Sequence, residues 1–465
     1  MTKFIDRDKE LETLEKQYAS DSSSFVIVYG RRRIGKTSLI SRFLDSHPDS
    51  LFFLATEESE RQNLKEFQAK VADFIGNDFL RTANVDWPEV FKAFVSFPTK
   101  TKKIIVIDEF QYIGKSNPAF PSIMQKIWDT LLKDSNVMLI LCGSLVSLMK
   151  SQTLEYGSPL YGRRAAQINL KQIPFREYGK FFEGKRNNEL VPFYAITGGV
   201  PKYIESFKGF DDIYTAIEKN VLDKSSYLYE EPFFLLQKEV SEIGSYFSLI
   251  KAIALGNQKL SSISSSLGVK QTSITQYLKV LTDLDIVERE VPITEKMPEK
   301  SKKGIYRLTD NYLSFWFKFV YPYRDYLEKG ETDYVLSIIK ERFVENHVSF
   351  VYEDVCRDLV LDMAARGDFG FHPNRVGRYW GKESGEIDIV VIDSERGNLV
   401  LGECKFSSSP KGLSVLRDLE AKKAAMMGLT NSKSVGYALF CPTGFTDELK
   451  EEANRREDVH LIDCI

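Results

Sequence analysis

The hydrophobic pattern of the chain changes rhythm several times, and each change marks an element. Residues 24–29, 51–56, 103–107 and 137–142 are short, nearly unbroken apolar runs rich in β-branched and aromatic side chains. That is the pattern of strands covered on both faces, as in a parallel sheet with helices above and below it. Residues 4–18, 36–44 and a stretch ending near 80 carry their apolar positions at helical spacing, and 165–170 adds a short strand. From residue 246 the order becomes three short helices (246–254, 260–267, 271–281), then strands at 286–291 and 304–308 flanking a basic tip at 296–303. The aromatic-rich stretch 312–326 predicts a buried connecting helix, and 343–361 a further helix. Strands at 385–393 and 399–406, joined by the polar turn 394–398, then form a hairpin. A multidomain α/β chain is expected, divided at 1–205, 206–245, 246–325 and 326–465.

Composition narrows this picture little. A chain of 465 residues is too long for one core, and its 43% hydrophobic content supports several. Lys and Arg number 63 against 66 Asp and Glu, a net charge of −3, so any nucleic-acid surface must be local. The five cysteines, Cys142, Cys356, Cys404, Cys441 and Cys464, are widely spread without C-x-x-C spacing, which points away from a disulfide framework or zinc site. No apolar run approaches the roughly 18 residues that cross a bilayer, and the N-terminus lacks the apolar core of a signal peptide. A cytoplasmic protein with no membrane partner is expected.

Candidate chemistry begins at Gly30-Arg31-Arg32-Arg33-Ile34-Gly35-Lys36-Thr37, which spells G-x-x-x-x-G-K-T between a predicted strand and a predicted helix. Gly30 and Gly35 let the backbone turn its N–H groups inward around a polyphosphate. Lys36 would meet the β- and γ-phosphates and Thr37 would ligate Mg²⁺, so residues 30–38, ending at Ser38, are the expected ATP-binding segment. The strand at 103–107 ends in Asp108-Glu109, 72 positions beyond Lys36. Beside a P-loop, Asp108 would hold Mg²⁺ and Glu109 would act as general base. On its own the same pair would be a solvated acidic turn. Ser144, after the strand at 137–142, suits a γ-phosphate sensor or a plain helix N-cap equally well. Arg163 is the candidate arginine finger, with a solvated basic turn as the alternative.

Short helix, glycine-containing turn and polar-fronted third helix, followed by two strands, predict a winged helix between residues 246 and 325. Its Ser, Thr and Gln residues suit base or phosphate contacts. Residues 241–330 hold 13 Lys and Arg against 10 Asp and Glu, a modest +3. Packing between domains is the competing role.

A second constellation lies in the C-terminal hairpin. Glu403 and Lys405 share one face of their strand, while Cys404 faces the other way. If Asp388 points to the same spot, Asp388, Glu403 and the Cys404 carbonyl can bind Mg²⁺ or Mn²⁺. Lys405 can then position or deprotonate a water for phosphodiester attack. Asp388 followed by Glu403-x-Lys405 resembles the PD-(D/E)XK nuclease-like superfamily, which often adds a helix glutamate. Glu353 is the better match for that metal ligand and Glu345 the runner-up. The proline of the superfamily motif is replaced by Ile387.

Taken together the motifs resemble prokaryotic, especially archaeal, P-loop ATPases that join an AAA+/STAND-like module to a winged helix and a PD-(D/E)XK-like domain. The helix at 4–18 resembles the segment that lies near the adenine in AAA+ and STAND ATPases, and Gly198-Gly199-Val200-Pro201 resembles the end of their helical lid. The resemblance implies an ATP-hydrolysing protein acting on DNA through a metal-dependent nuclease-like domain, with homo-oligomers open. A STAND-like switch, whose C-terminal domain binds nucleic acid or protein without cutting, is the other expectation.

Overall fold

The computed structural model describes residues 4–240, 242–381 and 385–463. The apolar runs of the N-terminal half become five strands: β1 (Ser24–Tyr29), β2 (Ser50–Leu54), β3 (Lys103–Asp108), β4 (Val137–Gly143) and β5 (Ala166–Asn169). They form one parallel sheet in the order β2-β3-β4-β1-β5. Every residue of β1, β3 and β4 is buried, which is why these strands lack polar alternation. Val26, Val28, Val106 and Ile140 pack with Leu39 and Ile40 of the helix Lys36–Leu44. Each such aliphatic side chain contributes roughly 1.5–3 kcal/mol when fully buried. The loop between β1 and that helix is thereby carried on a rigid base, at the carboxyl end of β1, beside the central strand β4.

The chain falls into two compact units. One holds this sheet with Val200–Lys202 and Gln237–Ser241; the other holds Ile173–Gly199, Tyr203–Leu236 and everything from Glu242 onward. Within the second unit, helices Ile243–Ala254, Leu260–Leu267 and Gln271–Asp283 precede the antiparallel pair β6 (Val287–Glu290) and β7 (Ile305–Leu308). The aromatic stretch that follows is helical and buried around Tyr312, Phe315, Trp316 and Phe319. Five strands complete the unit: β8 (Arg375–Gly381), β9 (Gly385–Asp393), β10 (Asn398–Cys404), β11 (Ser434–Phe440) and β12 (Val459–Ile462). Their order is β12-β11-β10-β9-β8, with β9 antiparallel to both neighbours and β10, β11 and β12 mutually parallel.

One irregularity in this second sheet matters. Gly377 pairs with Val390 but Tyr379 pairs with Ile387, so β9 holds one residue more than β8 across Arg378. This bulge breaks the strict alternation of β9: Ile387, Val390 and Ile392 all enter the same apolar core. Asp388 sits at the break. No helix of the described residues is long and apolar enough to cross a membrane. Cys142, Cys356, Cys404 and Cys441 are free and buried, and Cys464 lies outside the described residues.

Candidate functional site

At the end of β1 the backbone turns sharply at Gly30. A Cβ there would lie 2.5 Å from the Leu170 carbonyl oxygen, closer than real Cβ contacts, and φ is +156°. Gly35, at φ +93°, opens the following helix in a conformation that L side chains rarely adopt. The segment around Arg7 fastens the loop, its guanidinium donating to the carbonyls of Ile34 (3.4 Å) and Lys171 (2.6 Å). Lys36 is buried and its ammonium lies inside the curve of the loop, donating to the carbonyls of Gly30 (2.7 Å) and Arg31 (2.9 Å). Burial lowers its pKa, while the fields of Glu109, Asp108 and Glu239 oppose that shift.

Thr37 Oγ1 donates to Asp108 Oδ2 at 3.0 Å, which brings the ends of two strands' loops to one point. The other Asp108 oxygen accepts the Glu109 N–H at 2.9 Å. Glu109, at φ +54°, turns its carboxylate toward Ser144, whose hydroxyl (2.7 Å) and N–H (3.2 Å) both donate to Glu109 Oε2. Gln111 Nε2 donates to the same oxygen. Arg32 donates to the Tyr112 hydroxyl at 2.8 Å, and Ser38 faces solvent on the helix. The oxygen pair of Thr37 and Asp108 suits a hard, oxygen-preferring cation such as Mg²⁺.

Sequence reasoning missed Glu239 here. Its carboxylate accepts backbone N–H bonds from Val146 and Ser147 and feels Arg32 and Lys36, yet burial pushes its pKa up to about 7. It lies 203 positions from Lys36 at the end of the helix Glu231–Glu239, with no local motif to flag it. Arg163 is not brought to the loop. It forms a forked pair with Asp129, at 2.9, 3.2 and 2.8 Å, and donates to the Pro159 carbonyl.

The second constellation forms around the β9 bulge. Asp388 Oδ2 accepts the Cys404 N–H at 2.9 Å, which ties β9 to the end of β10. Just beyond β10, Lys405 Nζ donates to Glu403 Oε1 at 2.5 Å, and Lys422 Nζ lies 3.7 Å from the other Glu403 oxygen. The Cys404 thiol is buried, and burial raises its pKa, with Cys356 adding to the shift. Glu353, from the helix Ser349–Arg366, meets the group from the side, whereas Glu345 is exposed and stays apart.

Burial raises the Glu353 pKa and the charge of Asp388 raises it further. Burial likewise raises that of Asp388, with Glu403 next. Three carboxylates from a helix and two strands therefore feel one another in a partly dry setting. Burial disfavours the Lys405 ammonium, but the bond to Glu403 and the fields of the three acids outweigh this and raise its pKa. Such a lysine is a permanent cation, suited to positioning a water or a phosphate rather than to taking up a proton. Arg378 Nη2 stands 3.1 Å from Glu353 and 2.6 Å from Glu386. Among the described residues no three His, Cys, Asp or Glu side chains are gathered closely enough to hold a metal ion. The donor set is nonetheless all oxygen, the preference of Mg²⁺ and Mn²⁺.

Comparison with known proteins adds findings of three kinds: family models, curated relatives and solved structures. Residues 4–207 match the model of an ATPase domain predominantly from Archaea, and residues 316–424 match a family of archaeal and bacterial proteins of unknown function. An uncharacterised protein of Methanocaldococcus jannaschii is 32% identical over 433 residues, covering 93% of this chain and 92% of the relative. An uncharacterised ATP-binding protein of the same organism is 46% identical over 43 residues, 9% of this chain and 73% of that protein. Among solved structures, the Walker-type ATPase of Pyrococcus abyssi superposes with a TM-score of 0.54 at 20% identity. It covers 68% of this chain and 96% of its own, a likeness of fold.

Proposed function

The chain belongs to the family of archaeal-type P-loop ATPases, and from that premise we propose that it is an ATP-driven protein acting on DNA, its C-terminal unit carrying a nuclease-like site. In the ATPase half, Lys36 and the inward N–H groups of residues 30–38 bind the phosphates. Glu109 takes the proton of the attacking water once released from Ser144 and Gln111. Thr37 and Asp108 would hold Mg²⁺, which would supply neutralisation of charge on the transferring phosphate. Arg163 would serve as finger only after leaving Asp129.

The DNA-directed half rests on one observation: Glu353, Asp388 and Glu403 converge beside Lys405, although burial and mutual repulsion disfavour that arrangement. Such crowding of acids is typical of sites that act on a substrate or cation. Drawn closer together than they stand in this structure, Asp388, Glu403 and Glu353 would hold Mg²⁺ or Mn²⁺, which would supply Lewis acidity, and Lys405 would orient the scissile phosphate. The three helices and the β6–β7 pair are read as a winged helix. Support comes from the helix Gln271–Asp283, whose Gln271, Thr272, Ser273, Thr275 and Gln276 are all exposed. The domain limits 1–205, 206–245, 246–325 and 326–465 belong to the same proposal, as does assembly into homo-oligomers.

The test incubates labelled single-stranded, duplex and branched DNA with Mg²⁺ or Mn²⁺, with and without ATP, beside Glu403→Ala. Cleavage is expected from the native chain and a loss of at least about a hundredfold from the variant. Cleavage undiminished in Glu403→Ala removes the site assignment. A second reading, a STAND-like switch that binds without cutting, is favoured by the Arg378–Glu353 pair, because a guanidinium at 3.1 Å already neutralises the carboxylate a cation would need. DNA binding without cleavage under all conditions selects that reading.

A further inference from the structure

Beside the carboxylate cluster, with Arg378 in its wall, the second unit carries a half-open cavity of about 620 Å³, the size of a small-molecule site. Four cations, Arg307, Lys318, Arg342 and Arg378, line it with two acids, Asp354 and Glu386. Most of that charge is internally matched. Arg307 pairs with Asp354 at 2.6 Å and Glu290 at 3.2 Å, and Arg378 is held by Glu353 and Glu386.

Lys318 differs. Among the described residues no carboxylate lies within ion-pair distance of its ammonium, which donates to the Asn346 carbonyl at 2.9 Å. Burial, and then the repulsion of Arg307, hold its pKa down at about 8. A partly buried cation in the repulsive field of a second cation is stabilised by an anion placed beside it.

The same wall presents an aromatic surface. Lys318 Nζ lies 5.4 Å from the centre of the Phe350 ring, which is 48% exposed although it borders the cavity, and Tyr323 lines the cavity as well. A large apolar ring left half in water beside an unmatched ammonium offers both halves of nucleotide recognition. Base stacking on such a ring is worth roughly 1–3 kcal/mol, and the ammonium meets a phosphate as a point charge.

We propose that this cavity is a nucleotide-binding site distinct from the P-loop, taking one phosphorylated nucleoside with its phosphate at Lys318 and its base against Phe350. The nucleoside is either a free mononucleotide or one unpaired unit of a nucleic-acid strand. Recognition is the same for both, and it holds whether or not the neighbouring carboxylates cut.

The experiment uses the full chain carrying Lys36→Ala, which silences the P-loop, without divalent cations. AMP is titrated by calorimetry and a fluorescent single-stranded hexathymidylate by anisotropy, each against Lys318→Met, Lys318→Arg and Phe350→Ala in the same background. At least one probe is expected to bind. Lys318→Met should weaken it by at least about tenfold, Lys318→Arg should restore most of the affinity, and Phe350→Ala should cost roughly five- to a hundredfold. Binding of AMP identifies a free ligand, and binding of the oligonucleotide alone identifies a strand. Because Phe350 is half exposed, its truncation leaves the fold intact and decides the matter even if Lys318→Met lowers the melting temperature. Failure of both probes to bind at about millimolar concentration, or affinities unchanged in Lys318→Met and Phe350→Ala, overturns the proposal.

Discussion

Around the P-loop a single buried ammonium, Lys36, is surrounded by the carbonyls of Gly30 and Arg31 and by the fields of Asp108, Glu109 and Glu239. At the end of β10 two cations, Arg378 and Lys405, stand among three carboxylates, Glu353, Asp388 and Glu403. The two regions are built differently. The first is made by eight contiguous residues whose backbone turns on Gly30 and Gly35. The second needs side chains from a helix and two strands, set in place by one extra residue in β9. A contiguous site tolerates drift elsewhere in the fold, whereas a dispersed one holds its geometry only as well as the ion pairs that bind it together.

The largest effect should come from removing the buried ammonium of the first region. In Lys36→Ala, ATP turnover followed by phosphate release should fall by about 10²–10³-fold, the scale set by loss of one preorganised charge at a reacting phosphate. Turnover equal to the native rate would break the comparison at its root.

Next comes the dispersed site. Arg378→Met leaves Glu353 and Glu386 without their shared guanidinium, and breaking a buried pair on one side typically costs about 3–5 kcal/mol. Chemical denaturation should record a loss of that order at pH 8. The sign of the pH dependence follows from the raised carboxyl pKa values of Glu353 and Asp388. A carboxyl that holds its proton more tightly when folded stabilises the fold fully below its unfolded pKa. That contribution is lost as pH rises through the folded value. The damage from Arg378→Met should therefore shrink toward pH 5, where the acids are protonated. An equal loss at both pH values would show that charge repulsion is not what Arg378 relieves.

Legibility in the sequence follows the same division. The strand-loop-helix at 24–44 is written in adjacent residues, because apolar strand, required glycines and helical spacing are all local properties. Asp108 and Thr37 were paired by motif, and the 3.0 Å bond brings them together. Asp388, Glu403 and Lys405 also stood out, but whether Asp388 shares their face depended on strand parity. The bulge opposite Arg378 sets that parity, and nothing in the residues 385–393 announces it. Ion-pair partners were illegible for a deeper reason. Whether Arg163 reaches a phosphate or Asp129, and whether Arg378 meets Glu353, depends on tertiary neighbours far away in the chain. Glu239 falls in the same class: a lone glutamate becomes significant only when folding buries it near Lys36.

The smallest predicted effect tests that last residue. Glu239 holds its proton up to about pH 7, so at pH 8 the folded protein places an extra negative charge in the field of Lys36 and Arg32, where a triphosphate must also bind. Glu239→Gln keeps an oxygen to accept the Val146 and Ser147 N–H bonds while removing that charge. ATP affinity should then tighten about three- to tenfold at pH 8, as expected for a single screened charge several ångströms away. The gain should vanish near pH 6, where native Glu239 is already neutral. Thermal melting without nucleotide should move in parallel. The raised pKa stabilises the native fold fully below the ordinary glutamate value and is lost as pH climbs through 7, so the variant should be the more stable protein at pH 8 and equal to the native chain at pH 5. A tightening of ATP binding that is the same at pH 6 and pH 8 would mean that Glu239 acts on the loop through its shape. Its charge would then have to be struck from the account of the P-loop region.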